Sequence, residues 1–351
     1  MTDVLSARLN QRGRAMVDFM ALMLAGSGDV RAAVNEETAK RVPDPEELPD
    51  DLDERNDYMQ KTLSQTPAYR VQKLLGEWHG KNHGVVAMDA FDEVRQRTEP
   101  LLKKFDEGPA TIEADPSFKP PGYWDGVNFH RTAGGWDGHE YQGYVHGEIV
   151  HRKMVDKLFP GGIFKQRRMI AEMAPKDSYR RILDMGCSTG HFTQALAETY
   201  PDADIYGVDL SLKTLEQARR VANAQGWAWK LYQRPAEDTG FDDGHFDLVA
   251  SYILLHEMPA SAIRGVFEEA FRVLEPGGDL IMSDVNRYAD MDKLAVWQAD
   301  SGALYGGEPH WRESASLDLG ALAREVGFVD VIAEGKSPGG YPYVVQGTKP
   351  V

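Results

Sequence analysis

Asp184, Gly186 and Gly190 stand in the run ILDMGCSTGHF, an apolar stretch that breaks into a glycine-bearing loop before a helix-forming segment. Glycine lets a backbone approach a ligand closely, and a loop that follows a strand lies at the carboxyl edge where open α/β sheets bind ligands. Asp209 ends the next apolar run, IYGVDL, where a carboxylate can accept hydrogen bonds from both hydroxyls of a ribose. Ala236, Glu237 and Asp238 follow a third strand candidate and are placed to flank an adenine ring. The spacing Gly186-Cys187-Ser188-Thr189-Gly190 is not the Gly-x-Gly-x-x-Gly of dinucleotide-binding loops. Downstream, YILLHEMP sets His256 beside Glu257, a near-neutral base next to a carboxylate that can orient it. Cys187 has no evident base nearby and reads as a small loop residue rather than a nucleophile. Gly277 and Gly278 in PGGDLIMSD read as a tight turn.

These residues need strand ends to hold them, and the chain after residue 176 supplies strands. RRILDMG, DIYGVDL, FDLVASYI and GDLIMSDV alternate with helical segments around Thr193 to Tyr200, Leu212 to Gln225 and Ala260 to Leu274. A weaker strand candidate surrounds Trp229 to Leu231, and GFVDVIAEG and YPYVVQGTK close the chain as a hairpin-like pair. Strand followed by helix, repeated, predicts an α/β fold: a doubly wound, mostly parallel, seven-stranded sheet. The region before residue 176 reads as helical. Met16, Phe19, Met20 and Met23 recur at helical spacing, and a second block carries Phe91, Val94, Leu101, Leu102 and Phe105, with Pro100 expected to interrupt it. RVPDPEELPDDLDE between the blocks reads as an exposed acidic linker. The segment Tyr123 to His151 is dense in aromatic residues, histidine and glycine, and Tyr141, Tyr144, Val145 and Ile149 can share one helix face. His146 and His151 are five apart, a spacing that an α-helix does not bring to one side, so no metal site is expected from His130, His139, His146 and His151. The organisation expected is a helical region over 1–122, aromatic lid helices over 123–175 and the sheet over 176–351.

A length of 351 residues favours two domains. The 39 basic and 55 acidic side chains leave a formal charge of -16, which repels a phosphate backbone and argues against nucleic acid as a partner. No apolar stretch reaches the roughly 18 to 20 residues that cross a bilayer, so no membrane insertion is expected. The single cysteine, Cys187, suits a reducing compartment, and the N-terminus lacks the apolar core of a signal peptide. The expected location is the cytoplasm.

Taken together, the Asp184-x-Gly186-x-x-x-Gly190 loop, Asp209, the Ala-Glu-Asp step ending at Asp238, FDLVASYILLHEM and RVLEPGGDLIMSD resemble the class I S-adenosylmethionine-dependent methyltransferases. The resemblance covers roughly the second half of the chain. It implies a Rossmann-like methyltransferase sheet under a helical N-terminal cap, with S-adenosylmethionine as cofactor. The loop with Gly186, Cys187, Ser188 and Gly190 would hold the methionine part. Asp209, with Leu210 beside it, would bind the ribose, and Asp238 would lie near the adenine amine, with Ala236 and Glu237 along the ring. Asp184 and Ser251 complete the implied cofactor site, Asp184 either touching the cofactor or orienting the loop. His256 resembles the catalytic histidine of small-molecule O-methyltransferases, with Glu257 to orient it. Methyltransferases of ubiquinone and menaquinone biosynthesis also place histidine after this strand, so base and structural roles stay open.

The helices before the first strand would form a lid over the cofactor and wall the acceptor pocket with Tyr141, Tyr144 and His146. Tyr305, His310 and Trp311, in a long connection at the same sheet edge, are a second group of pocket candidates. The reaction implied is O-methylation of an aromatic or hydrophobic small molecule. A carbon or nitrogen acceptor, or a cofactor-binding protein without catalysis, are the alternatives. The N-terminal helices could also pair two chains into a homodimer.

Overall fold

The computed structural model describes residues 4–159, 161–337 and 339–351. Its strands are β1 Thr111–Glu113, β2 Arg181–Met185, β3 Asp204–Asp209, β4 Lys230–Gln233, β5 Phe246–Tyr252, β6 Leu274–Asp284, β7 Val329–Gly335 and β8 Tyr343–Thr348. They form one sheet in the order β1-β4-β3-β2-β5-β6-β8-β7, parallel except where β8 runs against β6 and β7. The seven expected strands are all there. The eighth, β1, comes from the region read as helical and pairs in parallel with β4. Three residues with alternating exposure carry too little apolar signal to announce a strand.

Both faces of the sheet are covered, which is why β5, FDLVASY, is buried at every position and reads as a continuous apolar run. Successive residues point to opposite sides. Leu183, Val208, Val249 and Leu280 meet Ile263, Val266, Phe267 and Ala270 of the helix Ala260–Val273. Ile182, Ile205, Leu231 and Leu248 belong to the other core, with Leu196, Leu215 and Ala218. That second core also takes in Val17, Met20, Ala87, Phe91 and Leu102, so the N-terminal helices are part of the packing over one face. No helix among the described residues is long and apolar enough to cross a membrane.

Three sequence readings of the N-terminal region are corrected. In the helix Gln11–Gly26 the buried side is Val17, Met20 and Ala21, while Met16 and Phe19 are exposed. The acidic stretch is built in: Asp44 and Asp51 cap the turns that follow them, and Val42 and Leu48 pack with Met59, Leu63 and Trp297. Finally, Pro100 lies inside the helix Arg95–Lys104, and the break falls earlier, after Asp92.

Candidate functional site

A cavity of about 210 Å³ opens where the loops after β2, β3 and β5 meet the aromatic segment. Gly186 and Ser188 line it from the first loop, Asp209 and Leu210 from the end of β3, and Ala236 from the turn after β4. Backbone strain collects here. Ser188, Ile253 and His130 all line the cavity with positive φ, 47°, 59° and 50°, and for a β-branched isoleucine that conformation is a true outlier.

Asp209 is held by its neighbours before any ligand arrives. Its Oδ2 accepts from Ser188 N at 2.8 Å, and Oδ1 accepts from Ser211 N at 2.9 Å and the Thr214 hydroxyl at 3.1 Å. Burial outweighs these bonds and pushes the carboxyl up to about 6.

The other residues of the implied cofactor site stand behind the wall. Asp184 is fully buried, accepts the Thr193 hydroxyl at 2.6 Å and is raised to about 7 by burial, so it clamps the loop to the helix His191–Thr199. Gly190, at φ 80°, has Trp229 where a Cβ would sit, which makes its role one of packing. Cys187 is buried against Gly207, and burial pushes its thiol well up, which removes it from nucleophilic chemistry. Ser251 donates to Met185 O at 2.8 Å and ties β5 to β2. Glu237 accepts the Tyr123 hydroxyl at 2.6 Å, and Asp238 faces solvent.

His256 lines the cavity at 2% exposure. Its Nδ1–H donates to Asp284 Oδ1 at 3.0 Å, and Asp284 also accepts from Leu255 N and Val285 N. Nε2 is thereby left as the free acceptor. Burial opposes charge on the ring, and the Asp284 carboxylate outweighs it, raising the imidazole above its ordinary value. The orienting residue is therefore Asp284, at the end of the adjacent strand β6.

Glu257 does not take that part: it accepts from His130 Nε2 and Trp136 Nε1, each at 3.3 Å. The other nitrogen of His130 meets Glu308. Two carboxylates on one ring require both nitrogens protonated; burial works against that charge, but Glu308 and Glu257 prevail and push His130 up to about 10. His130, His256 and Glu257 have ligand-capable atoms within 4.8 Å of one another, the single group among the described residues whose spacing suits a metal ion. The His130 imidazolium already places positive charge among these carboxylates.

The aromatic segment does reach over the sheet edge. Tyr123, Trp136, His146 and His151 line the cavity. Asp137 accepts from the Ser211 hydroxyl at 2.6 Å and from Lys213 N at 3.1 Å, anchoring the segment to the start of the helix Leu212–Gln225. Gly143 lets it close in, since a Cβ there would stand 2.1 Å from Lys213 O.

Val145–Met154 is a π-helix. Its i→i+5 bonding stacks residues five apart, and the rings of His146 and His151 lie 4.1 Å between centroids. The inference that this spacing separates them holds for an α-helix and fails for this one. Burial keeps both rings well below the ordinary histidine value, hence neutral.

Tyr141 and Tyr144 point into the core, 5.3 and 5.6 Å from the Phe91 ring, and do not line the cavity. Tyr305 sits outside, bonded to Gln60. His310 touches Tyr123 edge-on, and Trp311 packs on His256 at 5.3 Å, so both stand one layer back.

Asp284, Arg167, Tyr252 and Tyr341 complete the site and were not anticipated as ligand residues. The position of Asp284 at a strand end was the one available signal. Arg167 lies in IFKQRRMIA, where nothing separates it from its basic neighbours. A second cavity, about 250 Å³ beside Glu148, Arg152 and Gln194, is lined by none of the sheet-end residues.

A methyltransferase domain family matches residues 182–278. Malonyl-[acyl-carrier protein] O-methyltransferase of Legionella pneumophila is 36% identical over 152 residues, 43% of this chain and 48% of that protein. The chain thus spans about half the length of that relative. An uncharacterised methyltransferase of Synechocystis is 32% identical over 171 residues, 48% of this chain and 74% of that protein. Among solved structures, an O-methyltransferase family protein of Burkholderia thailandensis aligns with a TM-score of 0.49 and 15% identity over 77% of this chain and 73% of that one. With the matched domain falling on the strands and loops that build the cavity, the chain belongs to the class I S-adenosylmethionine-dependent methyltransferases.

Proposed function

We propose that this chain methylates a small molecule at a hydroxyl oxygen, the acceptor being aromatic or hydrophobic. The residues at the sheet edge fit the family's cofactor: Gly186 has no room for a Cβ beside Leu254, and Asp209 lines the cavity with a half-buried carboxylate. Gly186, Ser188, Asp209, Leu210 and Ala236 would hold S-adenosylmethionine, which supplies when bound a methyl group on a sulfonium that needs no further activation.

The protein is left to align the acceptor and to remove its proton. His256 Nε2 takes the proton of the hydroxyl, and Asp284 fixes the tautomer and steadies the imidazolium that results. Trp136, His146 and His151 present a neutral, largely aromatic wall that excludes water and suits a flat acceptor. The name of the Legionella relative, an O-methyltransferase, supports oxygen as the acceptor atom.

The observation that carries the reading is the Asp284–His256 pair on the cavity wall. His256→Gln retains hydrogen bonding but takes no proton near neutral pH, so turnover falls by about 10²- to 10⁴-fold. Calorimetry with S-adenosylhomocysteine then shows cofactor affinity retained. A base must be unprotonated, and this one is raised, so wild-type turnover climbs with pH through a limb above the ordinary histidine value, and the variant lacks the limb. Normal turnover in the variant would leave a carbon or nitrogen acceptor that needs no base.

We infer also that two copies pair through the N-terminal helices. Val71, Leu74, Trp78 and Val85 recur at helical spacing on one side of Pro67–Asp92 and are exposed, next to exposed Phe19 and Leu22 on Gln11–Gly26. The Phe19 and Trp78 rings already touch, 5.9 Å apart. Exposed apolar patches of this kind mark association surfaces, and a two-fold axis would set this patch of one copy against the same patch of another. The single buried thiol and the acidic charge are in keeping with a cytoplasmic protein that does not bind nucleic acid.

A further inference from the structure

Among the described residues, one cation lines the cavity without a carboxylate paired to it. Arg167 is 8% exposed and lines the wall beside Tyr252 and Tyr341. Its Nη1 donates to Ile163 O at 3.3 Å within its own helix, and its guanidinium lies 4.7 Å from the centre of the Tyr252 ring. Among the described residues no carboxylate forms an ion pair with it. Asp156 and Asp184 act on it from a distance, the first bound to Ile163 N at 2.8 Å and the second to the Thr193 hydroxyl at 2.6 Å, and Arg152 repels it. The other cations at the cavity are committed: His130 lies between Glu257 and Glu308, and Arg234 binds Glu113 and Thr239 O. A guanidinium this deeply buried is costly unless an anion completes it.

We propose that Arg167 is the receptor for a carboxylate of a molecule bound in the cavity, an assignment that rests on the methyltransferase reading above. The planar fork of arginine matches two carboxylate oxygens. A single negative charge fits better than the double charge of a phosphate, because one cation is uncommitted and Asp209 and Glu257 share the same cavity. The carboxylate has two possible sources, the amino-acid end of the cofactor and the acceptor.

Arg167→Met and Arg167→Lys separate them by calorimetry. If the cofactor supplies the group, Arg167→Met weakens S-adenosylhomocysteine by roughly 10- to 100-fold, leaves 5′-methylthioadenosine, which lacks the amino-acid end, unchanged, and Arg167→Lys recovers part of the loss. If the acceptor supplies it, S-adenosylhomocysteine binds both variants like wild type, and benzoate, titrated into the S-adenosylhomocysteine-loaded protein, binds wild type and is lost in Arg167→Met. Thermal unfolding of Arg167→Met serves as the folding control, and replacing an unpaired buried charge by an apolar side chain of similar length leaves the midpoint equal or higher. Unchanged S-adenosylhomocysteine affinity together with benzoate binding that is absent in wild type, or equal in both, overturns the assignment. A wild-type protein that binds neither nucleoside overturns the functional reading and, with it, this inference.

Discussion

Asp209 and His256 show how far a single residue can be read before its surroundings are known. The position of each on the cavity wall was legible from its place after a strand, because a strand end in a parallel sheet projects into the ligand crevice. Their partners were not. Glu257, adjacent in sequence, faces His130 and Trp136, while Asp284, 28 residues away, takes the His256 ring because β5 and β6 are neighbours in the sheet. Adjacent residues at the end of a strand diverge, whereas equivalent ends of paired strands converge. A pH test follows for Asp209. In the role proposed for Asp209, ribose hydroxyls donate to the ionised carboxylate, and burial sets that ionisation at about 6, so S-adenosylhomocysteine affinity should be full above that value and decline as pH falls below it. Calorimetry at pH 5 and pH 7.5 reads the difference. Asp209→Ala loses roughly 10- to 100-fold in affinity at the higher pH, and Asp209→Asn flattens the pH dependence. Equal affinities for wild type at both pH values would remove the carboxylate from the binding equilibrium.

At the scale of elements, the seven strands after residue 176 were legible and the aromatic segment was not, for a common reason. A buried parallel strand writes its burial directly into an apolar run, but an aromatic segment can serve a core and a cavity with the same residue types. Tyr141 and Tyr144 went to Phe91, and Trp136, His146 and His151 went to the cavity. Within the π-helix Val145–Met154 the wider turn brings His146 and His151 together, which no α-helical periodicity anticipates. Because the segment is tied to the helix Leu212–Gln225 through Asp137 and also walls the cavity, ligand binding must restrain it. Amide exchange across 135–151 therefore slows when S-adenosylhomocysteine is added, while exchange at the exposed strand β7 stays as it was. Exchange in 135–151 that ignores the ligand would show the segment to be a fixed part of the core.

For the whole molecule, the division into an N-terminal region and a sheet is visible in composition, yet the packing crosses it. Val17, Met20 and Phe91 share a core with the sheet, and the same helices expose Leu22 and Leu74 at 59% and 65%. Leu74→Glu or Leu22→Glu should shift a dimer to monomer in sedimentation velocity without changing the thermal midpoint of the monomer; a wild-type protein that sediments as a monomer at micromolar concentration rules the pairing out. Strand β1 has a different consequence. It lies along the outer side of β4, although the two are more than a hundred residues apart in the chain. Until β1 docks, the amide and carbonyl groups on that side of β4 are an open template for another chain. Thr111→Pro removes the amide that bonds Trp229 O and leaves the N-terminal helices in place, so this variant should aggregate as its sheet forms, measured by light scattering on dilution from urea, with the wild-type chain staying clear. The short edge strand, whose Glu113 also holds the cavity residue Arg234, thus acts as a guard against self-templating, and it arrives from a part of the chain that is synthesised before β4.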